Sequence, residues 1–480
     1  MKGDFTRNTF DPAKHFSRVL QQQGRVMLDA DTNEQTAILL HYIRTLAADL
    51  IGPFAGPEQD NGKLGFFISL IEDFFDVINP NFSISKGRYY VDGILCENNE
   101  DSTYLAQNNY PNPPKTQLQD GDDAYLVYLD VWERHVSNVD DDSIREKALG
   151  GPDTASRAEV VSQVKLQSIK EANIFNGESF IQNFWQDSLV DEWQPPRSGC
   201  LKAQVKPSAD QTAPCVAAPD AKYRGPENQL YRVEIHNSGQ AYVAGSSQTI
   251  ATFKWSRDNG SVVTGVVDGK IDGKSCTVES SRGFESGIWV EFTNEEQELR
   301  GEPGTLVKLT KVDKDVFTLD STPTQQPNPE IPEKWPTKVR RWDQTYSQTL
   351  KSAGKTRNDD GTVTITESSR DWIDLEDGLQ IQFQPSATRY RTGDYWLIPA
   401  RVATGDIEWQ INTDGTPASQ PPFGIRHHYA PLALLPNGET TLQPLQTSFH
   451  PIAKQGGQPD LKSQGEAGIG TEPSCTPLTT

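Results

Sequence analysis

The residues with chemistry to offer are paired carboxylates, adjacent histidines and one run of alternating oxygen ligands. Asp374, Glu376 and Asp377 (DLEDG) supply the two carboxyl groups that glycoside hydrolysis needs, one to give a proton and one to attack or to activate water. They precede Gly378 in a strand-rich stretch, where acidic turns are routine. Trp372 and Trp396 have faces for a sugar ring, but burial is the commoner fate of tryptophan. His427 and His428, with His450 downstream, carry imidazoles that bind metal. On a strand, neighbouring side chains point to opposite faces, so this pair does not share one ion. Glu133-Arg134-His135 has the parts of an acid–base cluster, with no G-x-S-x-G nucleophile motif nearby to complete it. Asp29-Ala30-Asp31-Thr32-Asn33 alternates oxygens like a calcium loop. An EF-hand then requires Gly and Glu where this chain has Glu34 and Leu40. Gly150-Gly151-Pro152-Asp153 lacks the spacing and the Lys-Ser/Thr of a phosphate loop and reads as a turn. Caps, turns and strand ends explain each constellation. The expectation is a protein that is not an enzyme, with no catalytic residue, no cofactor and no metal.

The elements that would position these residues change character along the chain. Asp11-Pro12 is a helix start, with Asp as cap and Pro in the first turn, and Phe16, Val19 and Leu20 follow at helical spacing before Gly24. Arg25–Leu28 reads as extended. Asp31 and Glu34 form a capping box for a second helix, whose Ile38, Leu39, Tyr42, Ile43, Leu46 and Leu50 make one buried face before Gly52-Pro53. Phe66–Ile78 suits a third helix. From Phe82 the pattern is of strands, with turns at Lys86-Gly87 and Asp92-Gly93. Ala124–Trp132 is nearly continuous in large apolar residues, as in a strand buried on both faces.

The expected fold is therefore α+β, mainly β: a small N-terminal helical segment followed by several antiparallel β modules. The expected division is a helical segment over 1–80, then a β-rich domain over 81–245 with a long loop near 194–221. A small β module follows over 246–322, then a Pro-rich linker over 323–337, a C-terminal β-rich domain over 338–452 and an extended tail over 453–480. The tail reads as disordered alone, to be ordered by a neighbouring subunit.

Composition narrows the function. The 480 residues carry a formal charge of −21, which argues against nucleic-acid binding and against a basic patch on anionic lipid. Mean hydropathy is −0.62, and no apolar run approaches the ~20 residues of a membrane span. The opening residues hold no signal-peptide core. Five scattered cysteines without a C-x-x-C suggest reduced thiols and a cytoplasmic setting.

The opening string MKGDFTRNTFDPAKHFSRVLQQQGRVMLDADTNEQ resembles the start of an uncharacterised family encoded beside phage-tail-like contractile injection systems. The resemblance continues at Tyr125–Val136, Ile144–Leu166, Tyr231–His236, Thr252–Val263, Gly393–Thr404 and Gly424–Leu435. It implies a structural baseplate or baseplate-associated subunit. The partners would be other baseplate, spike or sheath-associated subunits, with several copies per particle. The particle would be cytoplasmic when assembled, with release or indirect membrane attachment through a partner compatible with it. Phe5, Arg7 and Phe10, ahead of the first helix cap, are the candidate assembly contacts, two apolar anchors and a charge. The alternative is that this arm folds back on its own helices. Two rival functions are a receptor- or glycan-binding fibre component and an enzyme acting on polysaccharide.

Overall fold

A computed structural model describes residues 1–58, 63–71, 81–113, 124–169, 185, 193, 199–206, 222–243, 245, 247–323, 337–344, 360–385, 389–436 and 441–450. The architecture is mainly β, in several antiparallel sheets and one closed barrel, with a single long helix among the described residues. No helix there is long and apolar enough to cross a membrane.

Three cores organise the chain. The first belongs to a sheet built on Ala124–Val136, paired residue for residue with Arg157–Ile169 and on its other edge with His428–Pro436. As the apolar run predicts, this central strand is buried on both faces over most of its length. Its inward side packs with the hairpin Gly87–Val91 and Ile94–Asn98 and with Phe82 and Tyr104, which stack at 4.9 Å. The second core lies under a five-stranded sheet centred on Gln229–Ile235, Thr252–Ser256 and Tyr395–Arg401, packed against a three-stranded sheet that includes Leu379–Gln384. The third fills the barrel, whose six strands run from Val263–Asp272 to Lys338–Trp342.

These units do not follow the expected boundaries. The strand Lys338–Trp342 closes the barrel against Val263–Gly265, so the small module of 246–322 is completed by residues beyond the Pro-rich run. His428–Pro436, assigned by sequence to the C-terminal domain, is a strand of the first sheet. Ser448–Phe449 pairs with Gly56 and Pro57, tying the end of that segment to the region expected to be helical. Within the expected loop of 194–221, Cys200–Val205 is a strand paired with Leu379–Gln384. Most of the Pro-rich run and the tail of 453–480 lie outside the described residues.

The N-terminal region departs most from its periodicity. Pro12–Lys14 is one 3-10 turn, capped by Asp11 as expected, but no helix follows. A stripe of three apolar residues is too short to hold a helix without a surface to bury it. Phe16 and Leu20 are exposed, and Val19 instead donates its N–H to the Gln35 side chain at 2.8 Å. Helix α1 spans Asp29–Ile51 and ends at Gly52, whose N–H returns to Ala48. Its N-cap is Leu28, not Asp31, and the capping box is absent. Asp29 accepts from the Thr6 N–H (3.0 Å) and hydroxyl (2.8 Å), and Glu34 from the Thr9 hydroxyl, so the arm engages one acid of the expected box, Glu34, and the acid that opens the helix. Most of the expected buried face turns outward as well. Ile38 is buried as expected, with Ala30, whereas Leu39, Tyr42, Ile43, Leu46 and Leu50 face outward. Of the expected third helix, Ile68–Leu70 is a strand, and 72–78 fall outside the described residues.

Candidate functional site

Charge collects where the five-stranded sheet meets the barrel wall. The strands responsible are buried on both faces, and period-2 alternation divides their residues. On Gln229–Ile235, Tyr231 and Val233 enter the second core, while Arg232 and Glu234 point the other way. On Trp289–Thr293, Val290 and Phe292 fill the barrel and Glu291 points out of it. Lys254 comes from Thr252–Ser256, where it stands opposite Glu234 in the ladder. Arg340 and Trp342 come from the last barrel strand, where Arg340 stands opposite Glu291.

The resulting cluster is almost closed to solvent. Lys254 Nζ lies 2.5 Å from Glu291 Oε1 and 3.4 Å from Glu234 Oε1, and it sits over the Trp342 ring at 4.4 Å. Glu291 also accepts from Trp342 Nε1 (2.8 Å) and from the Gly304 N–H (3.1 Å). Glu234 pairs with Arg232 (2.5 Å) and with Lys2 from the arm (3.0 Å). Arg232 in turn lies over the Tyr395 ring at 3.6 Å and donates to Asn259 and to the Met1 carbonyl. Burial alone would push Glu234 upward, but Lys2, Arg232 and Lys254 outweigh it and hold the carboxyl well below its usual range. Glu291 is likewise brought down to about 2, burial being overcome by Lys254 and Lys2. His236, 3.8 Å from Glu291, goes the other way. Burial and then Lys254 lower it to about 4, so its imidazole is neutral at pH 7.

A second network ties the first sheet to the barrel. Lys338 bridges Asp140 (2.6 Å) and Glu298 (2.5 Å), and Arg134 bridges Glu159 (2.9 Å) and Glu295 (2.5 Å). Glu295 and Glu298 belong to the short helix α2, Glu295–Arg300, which has a true capping box made by Asn294 and Gln297. Gln163, fully buried, donates to the carbonyls of Asn109 and Leu299. Between the bodies, α1 and the arm lies a cavity of about 840 Å³, with Lys2, Arg44, His135 and Arg340 on its wall. Its charged walls carry both signs, largely engaged in the pairs just described.

The residues with chemistry are scattered. Asp374 accepts from Gln380 (2.6 Å), Glu376 from Tyr231 (3.1 Å) and Arg257 (2.8 Å), and Asp377 forms the turn at φ 50°. Trp396 is core, its Nε1 donating to Gln420. Glu376 is largely withdrawn from water. Burial raises it to about 7, Asp343 adding to the effect and Arg257 opposing it. His427 and His428 diverge as expected, though only His428 belongs to the strand. His427 meets Asp130 and His428 meets Asp92, each at 2.7 Å, and His450 meets Glu58 at 3.0 Å. Glu133, Arg134 and His135 also part company, Glu133 to Arg44 at 2.7 Å and His135 edge-on to Phe5 at 6.3 Å. The oxygens of 29–33 are the first turn of α1, and Gly150 and Gly151 are left-handed turn residues. Among the described residues no three His, Cys, Asp or Glu side chains are grouped to hold a metal ion.

The three arm residues singled out in the sequence touch this chain's own body. Phe5 meets His135, Arg7 pairs with Glu408 at 3.4 Å, and Phe10 lies 5.8 Å from His41 of α1. Sequence reasoning missed the Glu234–Lys254–Glu291 cluster. Its signal was present: YRVEI sets two charged residues, and FKW and WVEF one each, between bulky apolar ones, a pattern for strands with no solvent face.

No curated protein and no solved structure matches the chain. One family model does, over residues 1–176 and 196–443, which takes in the arm, α1, all three cores and the ionic cluster. The chain thus belongs to DUF6519, a family of unknown function.

Proposed function

We propose that this protein is a structural, non-enzymatic subunit of a phage-tail-like contractile injection apparatus, seated at the baseplate or attached to it. One observation carries the assembly role: α1 and the extended segment before it expose a series of large apolar side chains that no described residue covers. Ile43 is 61% exposed, Leu46 60% and Leu50 72%, and Leu20, Val26 and Met27 are exposed beside them in sequence. Scattered surface leucines need no partner, but large apolar side chains grouped in this way mark an interaction site. The injection machine itself is supported by the sequence likeness described above.

The charged groups support the same reading. Those with the most perturbed protons brace one element against another, and the paired carboxylates, histidines and acid–base triplet are divided among separate partners. Such a subunit acts by geometry. Its bodies, locked by buried ion pairs, hold neighbours in place until contraction repacks the interfaces.

The test is to tag the protein at its native locus, isolate it gently and identify its companions by mass spectrometry, with imaging of the material. Sheath, tube and spike proteins in the same particles are the expected result. Recovery free of them, together with normal contractile particles in a strain lacking the gene, overturns the proposal.

A further inference from the structure

The exposed face of α1 has an order of its own. Leu39, Ile43, Leu46 and Leu50 recur at steps of four, three and four, the spacing of a coiled-coil seam, with a β-branched residue between two leucines. At about 100° per residue these four fall on one line of the helix. Ala30, Arg44 and Ala48, by which α1 meets the body, fall on the opposite side. Tyr42, also exposed, flanks the line and widens it, while Leu40 turns toward the cavity between α1 and the body.

Charge identifies what covers it. The chain as a whole has a formal charge of −21, so two copies repel over most of their surface. The segment 12–51 is the exception. Lys14, Arg18, Arg25 and Arg44 balance Asp29, Asp31, Glu34 and Asp49, leaving no net charge. A basic partner subunit is drawn to the acidic remainder of the surface. A second acidic copy is not repelled here, where the surface is neutral and apolar. The seam alone is short for an independent coiled coil, and Phe16, Leu20, Val26, Met27 and Leu28 of the neighbouring extended segment supply the further apolar area that such a contact needs.

We infer that α1 and the segment before it are a self-association surface, on which a second copy of this chain seats its own α1, seam against seam. The inference names the occupant of the surface on which the proposed assembly role rests.

Sedimentation velocity of the purified full-length chain tests it. A dimer or higher oligomer is expected, and it should persist at high salt because the contact is apolar and locally neutral. Ile43→Asp with Leu46→Asp is expected to give a monomer with an unaltered near-ultraviolet circular dichroism spectrum, since neither side chain packs inside the monomer. Ile43→Cys is expected to cross-link copies on mild oxidation well above the background of the native cysteines, whereas Thr45→Cys is not. A wild-type chain that stays monomeric at every concentration, or a double variant that keeps the oligomeric mass, overturns the inference. A monomer that still co-purifies with sheath and spike proteins rejects self-association and leaves the assembly role standing. An oligomer without particle companions supports self-association and counts against the injection machine.

Discussion

Glu291 and Lys254 meet at 2.5 Å across the seam between the barrel and the five-stranded sheet, each from a strand that is buried on both faces. The two side chains come from different cores, and their contact fixes how those cores sit against each other. Two charges withdrawn from water cost several kcal/mol each, and good geometry with further hydrogen bonds is what offsets that cost. Here Trp342, Gly304 and Glu234 provide the further contacts.

Removing one partner should therefore be severe. Glu291→Leu leaves Lys254 only its longer 3.4 Å contact with Glu234 and leaves Trp342 Nε1 and the Gly304 N–H without their acceptor, at an expected cost of about 3–5 kcal/mol. Lys254→Met added to Glu291→Leu should recover part of that loss, because no lone buried charge remains. Urea unfolding followed by tryptophan fluorescence measures both. Equal costs for the single and double variants would show that the two side chains are not coupled.

The carboxyl groups predict two opposite limbs of stability against pH. Glu291 and Asp140 are both lowered to about 2 in the folded chain, from 4.5 and 3.8. Their contribution is complete above those ordinary values and is lost as pH falls toward 2. Glu376 is raised to about 7 from 4.5, so its contribution is complete below 4.5 and is lost as pH rises through 7. Glu376→Gln should flatten the loss on the neutral side and leave the acid limb unchanged. Melting temperatures across the acid-to-neutral range decide it; a neutral limb that survives the substitution would exclude Glu376 as its source.

The Asp92-Gly93 turn bears directly on α1. Gly93 has φ +76°, and a Cβ added there would lie 2.0 Å from the Arg44 carbonyl oxygen. Backbone on both sides leaves little room to give. Gly93→Ala should cost about 1–3 kcal/mol by overpacking and weaken the hold of Glu133 on Arg44. Faster hydrogen exchange confined to α1 is the expected signature. Unchanged exchange would mean that the turn does not support the helix.

Much of this fold was legible in the sequence, for reasons that are local. Steric and hydrogen-bonding preferences placed the Asp92-Gly93 turn, the Asp11 cap and the helix stop at Gly52. The buried strand Ala124–Val136 announced itself through the nearly continuous apolar run of Ala124–Trp132, and the expected divergence of His427 and His428 is found, His428 opening a strand and His427 preceding it. The capping box assigned to Asp31 and Glu34 failed because α1 begins at Asp29, which places Asp31 inside the helix, and because Thr9, distant in sequence, took Glu34. The real box at Asn294 and Gln297 went unread in a strand-rich region.

What the tertiary structure alone decided is which apolar surfaces find cover. Periodicity gives α1 an apolar stripe but not the direction in which it turns. The body takes the side with Ala30 and Arg44, where the arm and Glu133 bind, and leaves Leu39, Ile43, Leu46 and Leu50 outside. The ionic cluster is hidden for the same reason. Lys2, Glu234, Lys254 and Glu291 are far apart in sequence; strand pairing sets Glu234 beside Lys254, the arm brings Lys2, and only the packing of the sheet on the barrel adds Glu291.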